Sequence, residues 1–323
     1  MKVVHIVLSD NFAGIEQHVD EILTNVLSKD FTLICNKSIS EYFNKGIDKK
    51  IIKNIGRRSL LGKYKLKQLL KEIKPDIVHT HGSKTTSIIN SIKGHYKHVA
   101  TVHGIKKNKK VYEKCNLVIG VSNKAVEGIQ NTTLVISNWW NPYLKKSTKQ
   151  GSKYALAVGR LEKVKGFDLL ISSWANINTK LVIVGSGKEK DNLLNLIQKN
   201  NLSKKIHIVD EVQREDLISY YEDASVLIIS SRDEGGPRVA LESLYLGVPV
   251  ISTDVGHMPD ILPKELLAKK DDLASLQNLL ETHVDTIDVI DQSAIFEFVQ
   301  NEFSIDESIK EIQLAYDEVL INS

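Results

Sequence analysis

Short continuous runs of apolar, β-branched residues alternate along the chain with longer stretches whose apolar positions recur every three to four residues. In the first half, VVHIVLS (Val3–Ser9), FTLICN (Phe31–Asn36), DIVHTH (Asp76–His81), HVATVHG (His98–Gly104), LVIGVS (Leu117–Ser122) and TLVISN (Thr133–Asn138) read as strands. Between the first two, Ile15, Val19, Ile22, Leu23, Val26 and Leu27 fall on one face of a helix. The pattern breaks at WWNPYLKKSTKQGSK (Trp139–Lys153), which reads as a linker, and then restarts with YALAVGR (Tyr154–Arg160), KLVIVGSG (Lys180–Gly187), IHIVD (Ile206–Asp210), SVLIISS (Ser225–Ser231) and PVISTD (Pro249–Asp254). Strands that are apolar throughout, rather than at every second position, are those covered on both faces of a parallel sheet. Their alternation with helices predicts right-handed crossovers. The expected fold is α/β: two doubly wound domains, residues 1–148 and 149–303, with a cleft between their strand C-terminal edges. The last stretch, residues 304–323, reads as an acidic amphipathic helix that returns to the first domain.

Composition narrows this picture. A chain of 323 residues exceeds one ordinary core. It contains no apolar run near the roughly 18–20 residues of a membrane span. The opening MKVVHIVLSD reads as a strand rather than a cleaved leader. Cys35 and Cys115 form neither a disulfide framework nor a metal-ligand spacing, which points to a reducing, cytoplasmic setting. Net charge is +3 but uneven: residues 1–150 hold 26 Lys+Arg against 11 Asp+Glu, so the remainder is net acidic. Residues 51–110 alone carry 15 basic and 2 acidic residues. This is either a solvated lysine-rich surface or a face for something anionic. Only Tyr64 and Tyr96 interrupt that basic stretch, which argues against nucleic acid.

Three loops carry candidate chemistry. SRDEGGPRVALESLYLGVPVIST (Ser231–Thr253) is a strand end, a glycine turn, a helix opened by Pro237 and closed by Gly247, and a further strand. In open α/β sheets ligands sit at such strand C-terminal ends, and a helix N-terminus seats phosphate. Glu234 and Glu242 suit hydroxyl acceptors for a sugar or ribose, or else a helix-start acid and a solvated-face acid. GRLEKVKG (Gly159–Gly166) sets Arg160 and Lys165 in one turn, a pairing suited to a diphosphate or simply two solvated charges. GSG (Gly185–Gly187) is a weak turn signal. Neither a G-x-G-x-x-G fingerprint nor a Walker loop occurs, which argues against nicotinamide and P-loop enzymes.

The order of these motifs resembles the retaining GT-B glycosyltransferases of family 4, two Rossmann-like domains. GR-x4-KG, VGSGKE, DEV and DEGGPRVALESLYLGVPVIST match its C-terminal domain. AGIEQHV (Ala13–Val19), PDIVHTH, TVHG, VIGVSN and VISN match its N-terminal one, and the closing helix with Tyr316 matches its tail. The resemblance implies that Glu242 accepts from the nucleotide ribose and that Glu234 lies at the donor sugar. The amides of Gly235, Gly236, Pro237 and Arg238's loop would approach sugar and phosphate. Arg160 and Lys165, with Gly159 between strand and turn, would hold and stabilise the leaving diphosphate. The backbone around Glu211–Arg214, Val212 included, would meet the base. Gly14 would face the diphosphate and acceptor, and His103 the donor sugar. His79 reads as a core histidine, and His81 is open between core and function. Gly236–Pro237 replaces a common Phe-Gly, and Glu211 a common glycine. The absence of D-x-D implies no metal, and no cofactor is expected. The expected partners are a nucleoside-diphosphate sugar, a glycan or polyprenyl-diphosphate-linked acceptor for O-antigen or capsule, and the anionic inner face of the cell membrane. A GDP-mannose enzyme, a nucleotide-sugar epimerase and a non-catalytic binding subunit are the alternatives.

Overall fold

A computed structural model of the chain describes residues 1–26, 30–105, 108–145 and 153–321. Leu27 and the second half of the expected linker lie outside the described residues.

The chain forms two compact units: Met1–Asn138 together with the chain from Ile305 on, and Trp139–Ser304. The first is built on β1 (Val3–Val7), β2 (Phe31–Asn36), β3 (Lys49–Ile52), β4 (Ile77–His81), β5 (Lys97–Val102), β6 (Leu117–Gly120) and β7 (Thr133–Val135). Its helices are α1 (Gly14–Asn25), α2 (Leu60–Ile73), α3 (Ser83–Ile89) and α4 (Asn123–Val126). The sheet order is β3-β2-β1-β4-β5-β6-β7, and each pairing is parallel. The strand order reverses at β1, so the loops after β1 and β4 flank the point where such sheets bind ligands. β1 and β2 are buried at every position, as a central parallel strand covered on both faces must be.

The second unit contains β8 (Tyr154–Val158), β9 (Leu181–Val184), β10 (Ile206–Val209), β11 (Ala224–Ile229), β12 (Val250–Thr253) and β13 (Leu267–Ala268). Its helices are α5 (Phe167–Ser172), α6 (Lys190–Lys199), α7 (Arg214–Glu222), α8 (Arg238–Tyr245), α9 (Met258–Ile261), α10 (Leu273–His283) and α11 (Ser293–Glu302). The parallel order β10-β9-β8-β11-β12-β13 again reverses beside its first strand. One core runs through the unit, from Ala155 and Leu156 to Leu241, Leu244 and Val299. The last helix, α12 (Ile305–Ile321), belongs to the first unit and packs on α1. Its Tyr316 is fully buried there.

Three expectations needed correction. β3 and β13 were not anticipated, since each is a short sheet edge. Pro237 occupies the position before the first turn of α8, not the first helical residue. The expected linker is not loose at its start: Trp139 is 1% exposed and Trp140 stacks on Tyr245 at 3.9 Å.

Candidate functional site

In the second unit, the loops leaving β8, β9, β11 and β12 are pressed together by backbone contact that only glycine permits. A Cβ on Gly185 would stand 1.9 Å from the Gly159 carbonyl oxygen, and one on Gly166 would stand 2.0 Å from the Ser230 oxygen. Gly166 also has φ +68°, which other residues adopt only at a cost. Hydrogen bonds lace the same loops: Leu161 N–H to Ser186 O at 2.8 Å, Arg232 N–H to Val164 O at 2.8 Å and Ser230 Oγ to Lys165 O at 3.0 Å. Arg232 adds a two-armed clasp on Asp168, at 2.7 and 3.0 Å. Burial alone would raise the Asp168 carboxyl, but the Arg232 and Lys163 partners hold it down at about 2.

This frame sets the charged groups. Lys165 runs across Gly159, where a Cβ would lie 3.1 Å from its Cε, and its Nζ donates to Glu234 Oε1 at 2.5 Å. Ser231 Oγ donates to the same oxygen at 2.8 Å. The two side chains are 19% and 16% exposed, so this pair is only partly screened. Arg160 differs: its side chain is 69% exposed and its partner is the neighbouring Glu162. An exposed pair of that kind is worth about 0–1 kcal/mol, so the guanidinium can turn to an anion at little cost. Glu242, on α8, is buried. Its Oε1 accepts from Arg214 Nη2 at 2.6 Å and its Oε2 from the Tyr221 hydroxyl at 3.2 Å. The solvated-face reading therefore fails for Glu242 and for Lys165, and fits Arg160. Burial, reinforced by the Glu242 carboxylate, holds the Tyr221 phenol well above its ordinary range.

The remaining residues expected at a site fall on the same loops. Gly235 and Gly236 lie under Gly256, whose added Cβ would meet the Gly235 oxygen at 2.9 Å. Arg238 points its Nε to the Trp139 carbonyl at 3.2 Å, with the guanidinium 5.9 Å from that indole centroid. Val212 is half-buried beside Glu211, whose amide donates to Ser186 Oγ at 3.1 Å. Sequence reasoning missed Ser231, Arg214 and Tyr221 as partners of the two glutamates.

In the first unit, Gly14 opens α1 with nothing within 4 Å of an added Cβ. The turn before it is clasped by buried Glu16, whose carboxylate takes the Ala13 amide at 2.9 Å and the Ser9 hydroxyl. His103 follows β5, with Nε2 3.1 Å from His81 Nδ1. His79 and His81 are in the core, and burial followed by the neighbouring imidazoles holds both well below the ordinary histidine range. Burial takes His5 down to about 3.

Two family models match in succession: Glycosyltransferase Family 4 over residues 12–137 and Glycosyl transferases group 1 over residues 143–280. The chain belongs to these GT-B glycosyltransferases. It is 27% identical over 276 residues to an uncharacterized glycosyltransferase of Methanocaldococcus jannaschii, covering 77% of each chain. It is 34% identical over 96 residues to the O-antigen biosynthesis glycosyltransferase WclY of Escherichia coli, covering 29% of this chain and 27% of that protein. Among solved structures, Anabaena Alr3699/HepE in complex with UDP superposes with a TM-score of 0.83 at 16% identity, over 98% of this chain and 100% of the other. Among the described residues, no helix is long and apolar enough to cross a membrane.

Proposed function

We propose that the protein moves a hexose or N-acetylhexosamine from a nucleoside diphosphate, with retention at the anomeric carbon, onto a glycan acceptor. UDP is the preferred carrier, supported by the UDP bound to the structurally similar Alr3699/HepE. A polyprenyl-diphosphate-linked intermediate of an O-antigen or capsule is the acceptor class, supported by the likeness to WclY. The observation that carries the reading is the Lys165–Glu234 pair, held beside Gly159 with buried Glu242 on the same sheet edge. As the bond from the anomeric carbon to the diphosphate oxygen breaks, negative charge grows on the leaving group. Arg160 and Lys165 would stabilise that charge, which is the largest electrostatic demand of the step. Glu234 would face the sugar ring as it gains positive character. The acceptor oxygen bonds to the anomeric carbon, and its proton passes to the departing phosphate. Glu242 would hold the ribose, Val212 and its loop the base, and the Gly235–Arg238 loop, through the N–H groups of Gly235, Gly236 and Arg238, the sugar and phosphate. In the first unit, Gly14 and His103 would meet the diphosphate and donor sugar. With two cations at the leaving group, the proposal assigns no metal.

We place the first unit on an anionic membrane surface. Leu60, Leu61 and Tyr64 are 82%, 66% and 59% exposed at the start of α2, next to exposed Arg57 and Arg58. Apolar side chains flanked by cations suit an interfacial helix.

Thermal unfolding with a panel of nucleotide sugars tests the donor. A ligand at 100 times its Kd adds about 2.7 kcal/mol, so UDP-sugars should raise Tm where CMP-sugars do not. Stabilisation by none of them, or turnover of a nucleotide sugar with no acceptor present, would sink the proposal.

A further inference from the structure

Five of the chain's ten histidines cluster in the first unit: His5 and His79 in the middle of β1 and β4, His81 and His103 at strand C-terminal ends, and His18 on α1. Sheet register brings three of them together. His5 pairs with His79 across β1 and β4, and His81 lies two residues on, so all three project from one face. Thr101 pairs with His81 across β4 and β5. Tyr316 arrives from α12 and closes the group.

The result is a hydrogen-bond chain through four rings and the Tyr316 hydroxyl. Thr101 Oγ1 lies 2.7 Å from His79 Nε2, and His79 Nδ1 lies 2.5 Å from the Tyr316 hydroxyl. That hydroxyl is 3.2 Å from His5 Nε2. His5 Nδ1 is 3.0 Å from His81 Nε2, and His81 Nδ1 is 3.1 Å from His103 Nε2. A neutral imidazole has one N–H and one lone pair, so each interior ring must donate on one side and accept on the other. Two orders satisfy every link. In one, protons run from Thr101 toward His103: each ring carries its proton on Nδ1, and His103 Nε2 accepts. In the other, each ring carries its proton on Nε2, His103 Nε2 donates, and Thr101 accepts. A Tyr316 that accepted from both neighbours would leave its own buried hydroxyl hydrogen unpaired, at a cost of about 1–3 kcal/mol. Passing from one order to the other shifts one proton along each link while His103 Nδ1 releases a proton and Thr101 Oγ1 takes one up, so every group is neutral in both orders.

We propose that Tyr316, His5, His79 and His81 are positioning residues that tie the ring tautomer of His103 to that of the other three rings through this proton-ordered chain. Tyr316 of the C-terminal helix joins the two halves of that chain, so whether His103 presents a donor or an acceptor from Nδ1 follows the order of the whole chain. The chain stands on geometry alone. Its effect on turnover rests on the proposed role of His103 at the donor sugar.

The test is 15N NMR of the imidazole rings in the full-length protein, where protonated and bare nitrogens differ widely in shift. His5, His79, His81 and His103 should share one tautomer. His98, bonded to Thr80 and outside the chain, is the internal control. Tyr316→Phe should leave the His98 signals in place, convert His103 to a tautomer mixture and lower kcat by about tenfold, the scale seen when the group behind a functional imidazole is lost. Mixed tautomers among the four rings of the wild type would overturn the proposal, and this needs no variant to fold. So would stoichiometric zinc held by His18, His81 and His103 in protein purified without added metal. If the order is found but His103→Ala keeps full activity, the inference stands and the catalytic reading of His103 falls. If His103→Ala is inactive but the tautomers are mixed, the reverse holds.

Discussion

Removing either partner of the Lys165–Glu234 pair should have opposite effects on nucleotide affinity. Their atoms are 2.5 Å apart, with both side chains below 20% exposure. Lys165→Met leaves Glu234 with Ser231 as its donor in a site largely shielded from water. Losing a charge-assisted hydrogen bond there costs about 1.5–3 kcal/mol, above the 0–1 of an exposed pair. For a unit of this size each kcal/mol moves Tm by about 2–4 °C, so the drop should be about 3–12 °C. Lys165→Met with Glu234→Gln strands no partner, and should cost less than the sum by about 0.5–3 kcal/mol. Function separates the two residues further. If Lys165 grips the diphosphate, Lys165→Met weakens UDP and lowers kcat by about 10²–10³. Glu234 competes with the diphosphate for the same ammonium before donor arrives. Glu234→Gln should therefore tighten free UDP a few-fold, by about 1 kcal/mol, while kcat falls. Calorimetric titration with UDP and steady-state kinetics on the three variants read these quantities. Looser UDP binding in Glu234→Gln, or stabilities that add within about 0.5 kcal/mol, would refute the reasoning.

Gly166→Ala places a methyl 2.0 Å from the Ser230 carbonyl at φ +68°, so it should destabilise by about 3 kcal/mol or more, read as a fall in urea midpoint; a neutral change would mean the loops are not packed as described. Gly14→Ala meets nothing within 4 Å and favours the first turn of α1, so stability should hold or rise by up to about 1 kcal/mol. If Gly14 faces the diphosphate, kcat/KM drops in that variant all the same, and unchanged kinetics remove it from the site. Asp168 has its carboxyl held down at about 2, so its contribution is present above about pH 4 and lost as pH falls toward 2. Arg232→Ala should flatten that part of the stability–pH curve, and an unaltered slope counts against the clasp. Binding to anionic liposomes should fall steeply with salt, and Leu60→Ser with Leu61→Ser should weaken it further; equal binding to neutral vesicles contradicts the membrane assignment.

How much of this was legible in the sequence follows from where each residue is covered. Parallel strands buried on both faces leave continuous apolar runs, so β1, β2 and β8 to β12 could be read directly. β3 could not: KKII lies at a sheet edge with both central residues exposed, so it pairs without an apolar signature. Nor could the two residues of β13. Trp139 and Trp140 read as a break in periodicity, which they are, but irregular backbone can bury an aromatic as well as a helix can. The glycines and charges of the second unit were legible because close backbone approach and anion binding each require particular residue types at loop positions. Their pairing was not, since Arg214 meets Glu242 across 28 positions and Lys165 meets Glu234 across 69.

The histidines show the limit most clearly. Met singly along the chain, His79 reads as a core residue, which holds as far as burial goes, while His81 stays open and His103 is placed by resemblance alone. The H-x-H spacing at 79 and 81 does place two rings on one face of a strand. Nothing in the spacing says that β1 lies beside β4 with His5 in register with His79, or that a tyrosine 237 residues away supplies the next link. Burying several imidazoles without partners would cost about 1–3 kcal/mol for each unpaired group. Partners that arrive together on β1, β4 and α12 remove that cost for His5 and His79, so their pairing is a property of the assembled sheet and α12. A substitution on the last helix can therefore reach the ring of His103 without touching it.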